Sequence, residues 1–522
     1  MSERRQQAVL LLLAVVFVGT GLLFIPRMGI EVDEALVGAG LYPNSAPWFS
    51  VPVGGRELPL MLMSHLGATK TWLYAVLFQF TSPRPLSLRL PTLLIAAGSL
   101  WLFFALLDRA VGRRGAWIGT VLLATDTAYV LMNSIDYGPV TLQLTLKLAA
   151  WVLLLRFQKS RNCQALAGAF LCLGLAMWDK AIFSWVLCGM FAGALAVFPR
   201  QIFVEITWRN LRFAVPAFLA GALPLLIANI ARPLDTFRAN AHLEQFAVWG
   251  KWVVLRNTLD GHVFMKFFFA DQPGPQSGAP QHGFRSLSIT LSEVLGHPQY
   301  SLTFWATLAG ILALPFLWRT PARKPILFAL VSSFVTWLMM AFTAGAGAAA
   351  QHVMLLWPLQ FVLLAAALAH VSVRPAVAIT AILSLCSLAI TNQHYADLLR
   401  NGPAIRWTDA MDPLQRSLED LDAPRIYVAD WGLIETMQLL SEGRLPIQMA
   451  DLSSDESTRG LLEQPDAIFV SHAAGIAIDP HPRATLEAVA QREQYIEEPV
   501  TTIVDRNGRP AFDVFRFRKL HL

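Results

Sequence analysis

Glu31, Asp33 and Glu34 crowd three carboxylates into four positions, immediately after an apolar run near the N-terminus. Carboxylates there can accept a proton or a hydrogen bond. Further ionisable side chains stand beside other apolar runs: Arg89 in LRLPTLL, Asp136 in NSIDYGPVTL, Asp179 and Lys180 in AMWDKAIF, and His352 in AAAQHVMLLWP. Charge at membrane depth costs several kcal/mol, so such groups normally turn into a cavity or pair with one another. Each also has a plainer explanation. Arg89 could snorkel to the surface, and Asp136 could cap the helix entered at Tyr137-Gly138-Pro139. Asp179 and Lys180 could form a solvated pair in a turn, and a lone histidine such as His352 is more often structural. Asp33 and Glu34 are the hardest to assign to scaffold alone, although loop carboxylates near water cost nothing.

The elements that must position these groups follow from composition. The chain of 522 residues is 55% hydrophobic and only 15% charged, with a mean hydropathy of +0.48, which marks an integral membrane protein. A membrane helix needs about 20 mostly apolar residues, and the sequence supplies about eleven such runs. They lie near 7–25, 88–107, 115–131, 139–157, 163–178, 181–198, 211–230, 301–318, 324–343, 352–369 and 373–391. Arg4 and Arg5 precede the first run, but no clear small-residue cleavage site follows, so it reads as a helix and not a signal peptide. The four cysteines, Cys163, Cys172, Cys188 and Cys386, lie in or beside apolar runs, which excludes a disulfide framework or a zinc site in a soluble part.

A net charge of +5 does not imply nucleic acid in such a chain, because cytoplasmic loops collect Lys and Arg. With the N-terminus inside, alternate short loops carry Arg109, Arg113 and Arg114; Arg156, Lys159 and Arg161; Arg200, Arg209 and Arg212; Arg319, Arg323 and Lys324; and Arg374. The long segments, about 26–87, about 231–300 and everything after about 392, then fall outside. The expected setting is a multi-pass protein of the plasma (inner) membrane, N-terminus cytoplasmic and C-terminal domain external or periplasmic. All the polar groups above fall on the external side, which predicts one polar chamber at the outer leaflet.

Residues 58–80 mix apolar side chains with His65, Lys70, Gln79, Trp72 and Tyr74, a composition that predicts a helix lying in the interface. Residues 271–284, DQPGPQSGAPQHGF, are too rich in Gly and Pro for a helix and are expected to form a lid over the chamber. After 392 the chain turns polar. PRIYVAD and DAIFVSH read as strands, 431–442 and 481–494 as helices, and 501–518 as a hairpin turning at Asn507-Gly508. The expected division is a transmembrane catalytic domain over 1–395 and an external α/β domain over 396–522, large enough at about 120 residues to bury its own core.

On EVDEA after the first span, RLPTLL opening the second, Asp136 before the fourth, WDK between the fifth and sixth, ALPLLIAN ending the seventh and HVMLLWP opening the tenth, the chain resembles the GT-C class of membrane glycosyltransferases. The likeness is greatest to the protein O-mannosyltransferase and lipid A aminoarabinose transferase group and covers about residues 1–395. Two departures stand out: WDK lacks the glycine that often follows it, and His352 stands where many relatives carry arginine or another polar residue. The resemblance implies an all-α, GT-C-like polytopic bundle with the small C-terminal α/β domain appended. It implies transfer of a sugar from a polyprenyl phosphate carrier to an acceptor hydroxyl on the non-cytoplasmic face, with inversion. By the same analogy Asp33 is the base and Glu34 orients it or the acceptor, while Arg89, Lys180 and His352 meet the donor phosphate and Asp136 tethers a base or binds sugar hydroxyls. The partners are then a membrane lipid donor and an acceptor protein, lipid or glycan. No cofactor is obligatory. A divalent metal is chemically admissible but not required, because a monophosphate leaving group already carries charge.

The chief rival is a transporter or flippase of a lipid-linked or anionic solute. Transporters place their site near the midplane on broken helices, whereas these charges gather at one end. A polymerase or ligase joining lipid-linked glycans would share the donor side of the site.

Overall fold

The computed structural model describes residues 2–43, 45–244, 247–277 and 281–520, and every apolar run read from the sequence is helical in it. Among the described residues five helices are long and apolar enough to cross a membrane alone: Glu3–Arg27, Pro85–Ala110, Val140–Ser160, Arg323–Ala341 and Val373–Asn401. Four more runs are bent pairs that reach that length jointly, and Cys163–Asp179 and Thr303–Leu312 are shorter apolar helices. The chain is a multi-pass membrane protein.

The bends have local causes. Arg113–Thr125 turns by 54° into Thr127–Ile135 at Asp126, whose carboxylate caps the second half by accepting the Tyr129 N–H at 2.9 Å. Proline, which lacks the N–H that would continue a helix, stands in the other three. Pro199 marks a 111° turn after Phe183–Val197, Pro224 a 67° turn after Trp208–Gly221, and Pro358 a 41° turn within 350–368. Two charges inside the bundle serve the last of these breaks. Lys147 donates to the carbonyls of Leu355 and Trp357 at 2.5 and 2.6 Å, and Asp126 accepts the Trp357 indole N–H at 2.8 Å. The segment carrying His352 is thereby fixed from below.

The segment between the first two spans departs from expectation. In place of an interfacial helix over 58–80, Phe49–Val53, Arg56–Met63 and Leu66–Gly67 form a three-stranded antiparallel sheet, and the helix is confined to Thr69–Leu77. Gly54 and Gly55, both at positive φ, supply the tight turn between the first two strands. Leu60, Met61 and Leu62 are buried in succession, which satisfies a strand covered on both faces and not a helix with one wet side.

After the last span, which runs to Asn401, a five-stranded sheet forms in the order Ile447–Met449, Arg425–Val428, Ala467–His472, Pro510–Lys519, Tyr495–Val504. The first three strands are parallel and the last two form an antiparallel hairpin, closed at Asn507-Gly508 with Gly508 at φ 76°. Alternation along the strands divides their side chains between two cores. Tyr427, Phe469 and Phe515 pack with Leu461, Leu486 and Val489 of the covering helices. Ile426, Val428, Val470, Phe512 and Val514 share a core with Ile30, Ala35, Leu62 and Tyr74 of the segment between the first two spans. The acid-bearing helix Val32–Ala39 is thus wedged between bundle and sheet.

Residues 231–300 are also more structured than a plain loop, with helices Asp235–Asn240, Val248–Leu259, Met265–Phe268 and Phe284–Val294. Within 271–284, residues 278–280 lie outside the described residues. The rest is non-helical up to Phe284 and is bonded to the C-terminal hairpin: Gln276 N–H donates to the Asn507 carbonyl at 2.8 Å, and the Asn507 side chain donates to Ser277 Oγ at 2.6 Å.

Candidate active site

Arg89 and Glu34 meet behind the acidic helix. Glu34 presents both carboxylate oxygens to Arg89, at 2.7 Å from Nε and 2.7 Å from Nη2, and both side chains are 0% exposed. The guanidinium has three further N–H groups, and these go to the carbonyls of Ile25, Met28 and Gly29 at 3.2, 2.8 and 2.6 Å. Every donor of Arg89 is spent. This corrects two expectations: Arg89 has no N–H left for a phosphate, and Glu34 has no free oxygen with which to orient a base or an acceptor. Their work is to clamp the end of the first span, and with it the register of Val32–Ala39.

Asp136 is likewise enclosed. It closes Thr127–Ile135 in the left-handed conformation, φ 52°, and its oxygens lie 2.8 Å from Lys70 Nζ and 2.9 Å from the Tyr74 hydroxyl. Lys70 also donates to the Gly138 carbonyl at 2.8 Å. Lys70 and Tyr74 are one turn apart on Thr69–Leu77 and so face the same way. In the sequence both pass for interruptions of an apolar stretch, and their spacing is the one signal that could have paired them with a common partner.

Lys180 has a different environment. The backbone at Lys180 bridges Leu66 of the three-stranded sheet, Ala181 N–H donates to the His65 carbonyl at 2.9 Å, and Gln143 donates to the Lys180 carbonyl at 3.0 Å. Gly67 permits this approach, because a Cβ there would collide with the Trp178 carbonyl. The ammonium lies 3.4 Å from His352 Nε2, and among the described residues no carboxylate comes within 4.0 Å of it. Burial lowers its proton affinity, and the carboxylate that most opposes this is Asp33. Asp33 itself is half-buried, and among the described residues its carboxylate makes no ion pair or hydrogen bond, since its recorded bond is through its backbone N–H to Glu31 Oε2 at 2.7 Å. Among the described residues, His65 Nδ1, Thr69 Oγ1, Asp179 Oδ2, Gln351 Oε1 and His352 Nδ1 are buried without a well-formed hydrogen bond, although Thr69 faces Asp179, Tyr137 faces Gln351 and the Gly345 backbone faces His352. Orphaned buried polar atoms are rare and call for a reason.

Two neighbours were not picked out by sequence. Burial, with Lys180 beside it, pulls His65 down to about 4, so its imidazole is neutral at ordinary pH and offers a hydrogen bond without charge. Arg406, from the link between the last span and the sheet, donates to Glu31 Oε1 at 2.8 Å while its guanidinium lies 5.1 Å from the Trp431 ring. Glu31 caps Val32–Ala39, and burial followed by the charge of Asp33 raises it to about 8, with Arg406 opposing. Among the described residues no group of three His, Cys, Asp or Glu side chains is arranged to hold a metal ion.

Lys180 and His352 thus lie together, with Asp33 the carboxylate that acts most on Lys180, whereas Arg89, Glu34 and Asp136 are engaged with partners of their own. Comparison of the whole fold with solved structures finds ArnT from Cupriavidus metallidurans bound to undecaprenyl phosphate, with a TM-score of 0.60 over 98% of both chains at 13% sequence identity. The fold is that of ArnT. The apo form of the same protein matches with the same score and coverage. The oligosaccharyltransferase of Archaeoglobus fulgidus in its apo form gives a TM-score of 0.49 at 12% identity, over 95% of this chain and 70% of that one. No protein-family model and no curated protein sequence matches the chain. The resemblance read from short motifs is therefore borne out in the fold, and it extends past residue 395 through the C-terminal segment.

Proposed function

We propose that the chain is an integral membrane glycosyltransferase that moves a sugar from a polyprenyl-phosphate-linked donor to an acceptor hydroxyl, inverting the anomeric centre on the non-cytoplasmic face. The acceptor oxygen attacks C1, the bond from C1 to the phosphate oxygen breaks, and polyprenyl phosphate leaves. Asp33 takes the hydroxyl proton, help worth about 10² to 10⁴ in rate. Lys180 receives the charge of the leaving phosphate, and His352 and His65 add hydrogen bonds, all in a water-poor setting that strengthens them. Arg89, Glu34 and Asp136 hold the three external elements that carry this face. The reading requires no metal, since the leaving group is charged before it departs.

One observation carries the proposal: among the described residues Lys180 lies 3.4 Å from His352 with no carboxylate within 4.0 Å, and Asp33 is the carboxylate that acts on it most, whereas Arg89 and Lys70 are paired with Glu34 and Asp136. The likeness to a structure that contains undecaprenyl phosphate supports a lipid-phosphate donor. Basic short loops on the opposite side support eleven spans with the N-terminus cytoplasmic and the C-terminal domain external. The contact of residues 274–277 with the Asn507 turn supports a lid anchored to the C-terminal domain.

The test is mass spectrometry of carrier lipids and glycans after deletion of the gene. Accumulation of a sugar-charged polyprenyl phosphate with loss of one glycan modification is expected. Unaltered glycans together with a change in solute uptake would favour a transporter.

A further inference from the structure

Helix Phe183–Val197 begins beside Lys180 and, at 15 residues, carries the chain about 22 Å to the opposite end of the bundle. There it turns by 111° into Pro199–Glu205, which leaves Phe203 67% and Val204 68% exposed, followed by Trp208 at 81%. Such a segment suits the plane of a membrane surface. Two cavities of about 560 and 520 Å³ lie at this end and share Trp318 and Arg319. Ile311, Leu314, Pro315 and Phe316 wall the first, whereas Arg323 and Lys324 with Val197 and Leu327 wall the second.

No carboxylate lines either cavity. Among the described residues none of Arg319, Arg323 and Lys324 has a carboxylate within 4.0 Å, although the Arg323 guanidinium lies 4.0 Å over the Trp318 ring and Lys324 lies 5.4 Å over that of Phe198. Of the other arginines at the same end, Arg113 pairs with Asp108 at 3.1 Å and Arg161 with Glu205, whereas Arg109, Arg114, Arg200 and Arg212 have no ion pair among the described residues, so what sets Arg319, Arg323 and Lys324 apart is the groove they line. Loop topology accounts for the sign of these charges but not for a walled groove that is apolar on one side and cationic on the other. That combination is complementary to an amphiphile with a negative head, and each volume falls within the range of small-molecule sites.

We propose that this groove binds an anionic phospholipid, with the phosphodiester among Arg319, Arg323 and Lys324 and the acyl chains against Ile311, Leu314 and Phe316. The site is separate from the catalytic face and does not depend on the glycosyltransferase reading.

Native mass spectrometry of the full chain, purified in detergent and titrated with phosphatidylglycerol or phosphatidylcholine, tests it. A preference of about tenfold or more for phosphatidylglycerol is expected, at about fivefold per cation engaged. The triple variant Arg319→Gln, Arg323→Gln, Lys324→Gln should bind both lipids alike. The control Arg109→Gln, Arg113→Gln, Arg114→Gln removes equal charge from another turn at the same end and should keep the preference. Should the first triple variant fail to insert, Arg319→Gln alone should lower the preference about fivefold. Equal retention of both lipids by the unmodified chain, equal loss in the two triple variants, or no change in Arg319→Gln would overturn the proposal. So would displacement of phosphatidylglycerol by millimolar inorganic phosphate, which would mark a site for free phosphate.

Discussion

Arg89 and Lys180 are both cations at the end of the bundle that carries the C-terminal sheet, yet the structure gives them opposite surroundings. Arg89 meets one carboxylate twice and three carbonyls, leaving nothing unsatisfied. Among the described residues Lys180 has one imidazole at 3.4 Å and no carboxylate within 4.0 Å, and buried polar atoms such as His65 Nδ1 lack a well-formed hydrogen bond. A buried charge whose partners are complete is scaffold, because a ligand could bind it only by breaking what is there. A charge whose partners are missing calls for an explanation, and the proposed function supplies one in a ligand that arrives later. The same distinction separates Glu34 from Asp33 on adjacent positions of one helix.

The largest effect should come from Asp33→Asn: transfer falls by about 10² to 10⁴ while the protein inserts and unfolds thermally as before. A transfer assay with purified protein checks this, and full activity would remove Asp33 as base. Arg89→Ala strands Glu34 without a partner in a dry site, a loss of about 3–5 kcal/mol. It should appear as poor accumulation and a lowered melting temperature, and a stable variant lacking only activity would return Arg89 to the catalytic face. Smaller still is the pH effect at Glu31. Its folded-state value near 8 exceeds the ordinary 4.5, so between these values the folded chain binds more protons than the unfolded one and stability falls as pH rises. Glu31→Gln should flatten the melting temperature between about pH 5 and 8, and an unchanged slope would place the titration elsewhere. The smallest change belongs to Asn507→Ala, which loses one side-chain bond to Ser277, worth about 1 kcal/mol. It should speed proteolysis within 271–284 without altering the melting temperature, and no change would mean that the segment is secured by other contacts.

What could be read in the sequence follows from which interactions are local. Apolar runs placed each membrane helix, because the bilayer demands length and hydropathy from contiguous residues. Asn507-Gly508 disclosed its hairpin because only a few turn types connect two strands so tightly. Strand Ile447–Met449 escaped notice at three residues, and the three-stranded sheet was hidden because buried strands and apolar helices look alike when short. The candidate site was legible only in part. Residue type and position nominated Asp33, Glu34, Arg89, Asp136, Lys180 and His352 alike, but whether a charge is already satisfied depends on partners such as Lys70, 66 residues from Asp136, or Arg406, 375 residues from Glu31. Such pairings exist only once the chain has folded.

The division of labour between Asp33 and Lys180 is tested most directly by measuring polyprenyl phosphate binding to the purified unmodified chain, Asp33→Asn and Lys180→Ala side by side. Lys180→Ala should bind at least about tenfold more weakly, as expected for loss of a charge-assisted contact to phosphate, whereas Asp33→Asn should bind as well as the unmodified chain or better. Undiminished binding by Lys180→Ala, or loss of binding by Asp33→Asn alone, would contradict the assignment.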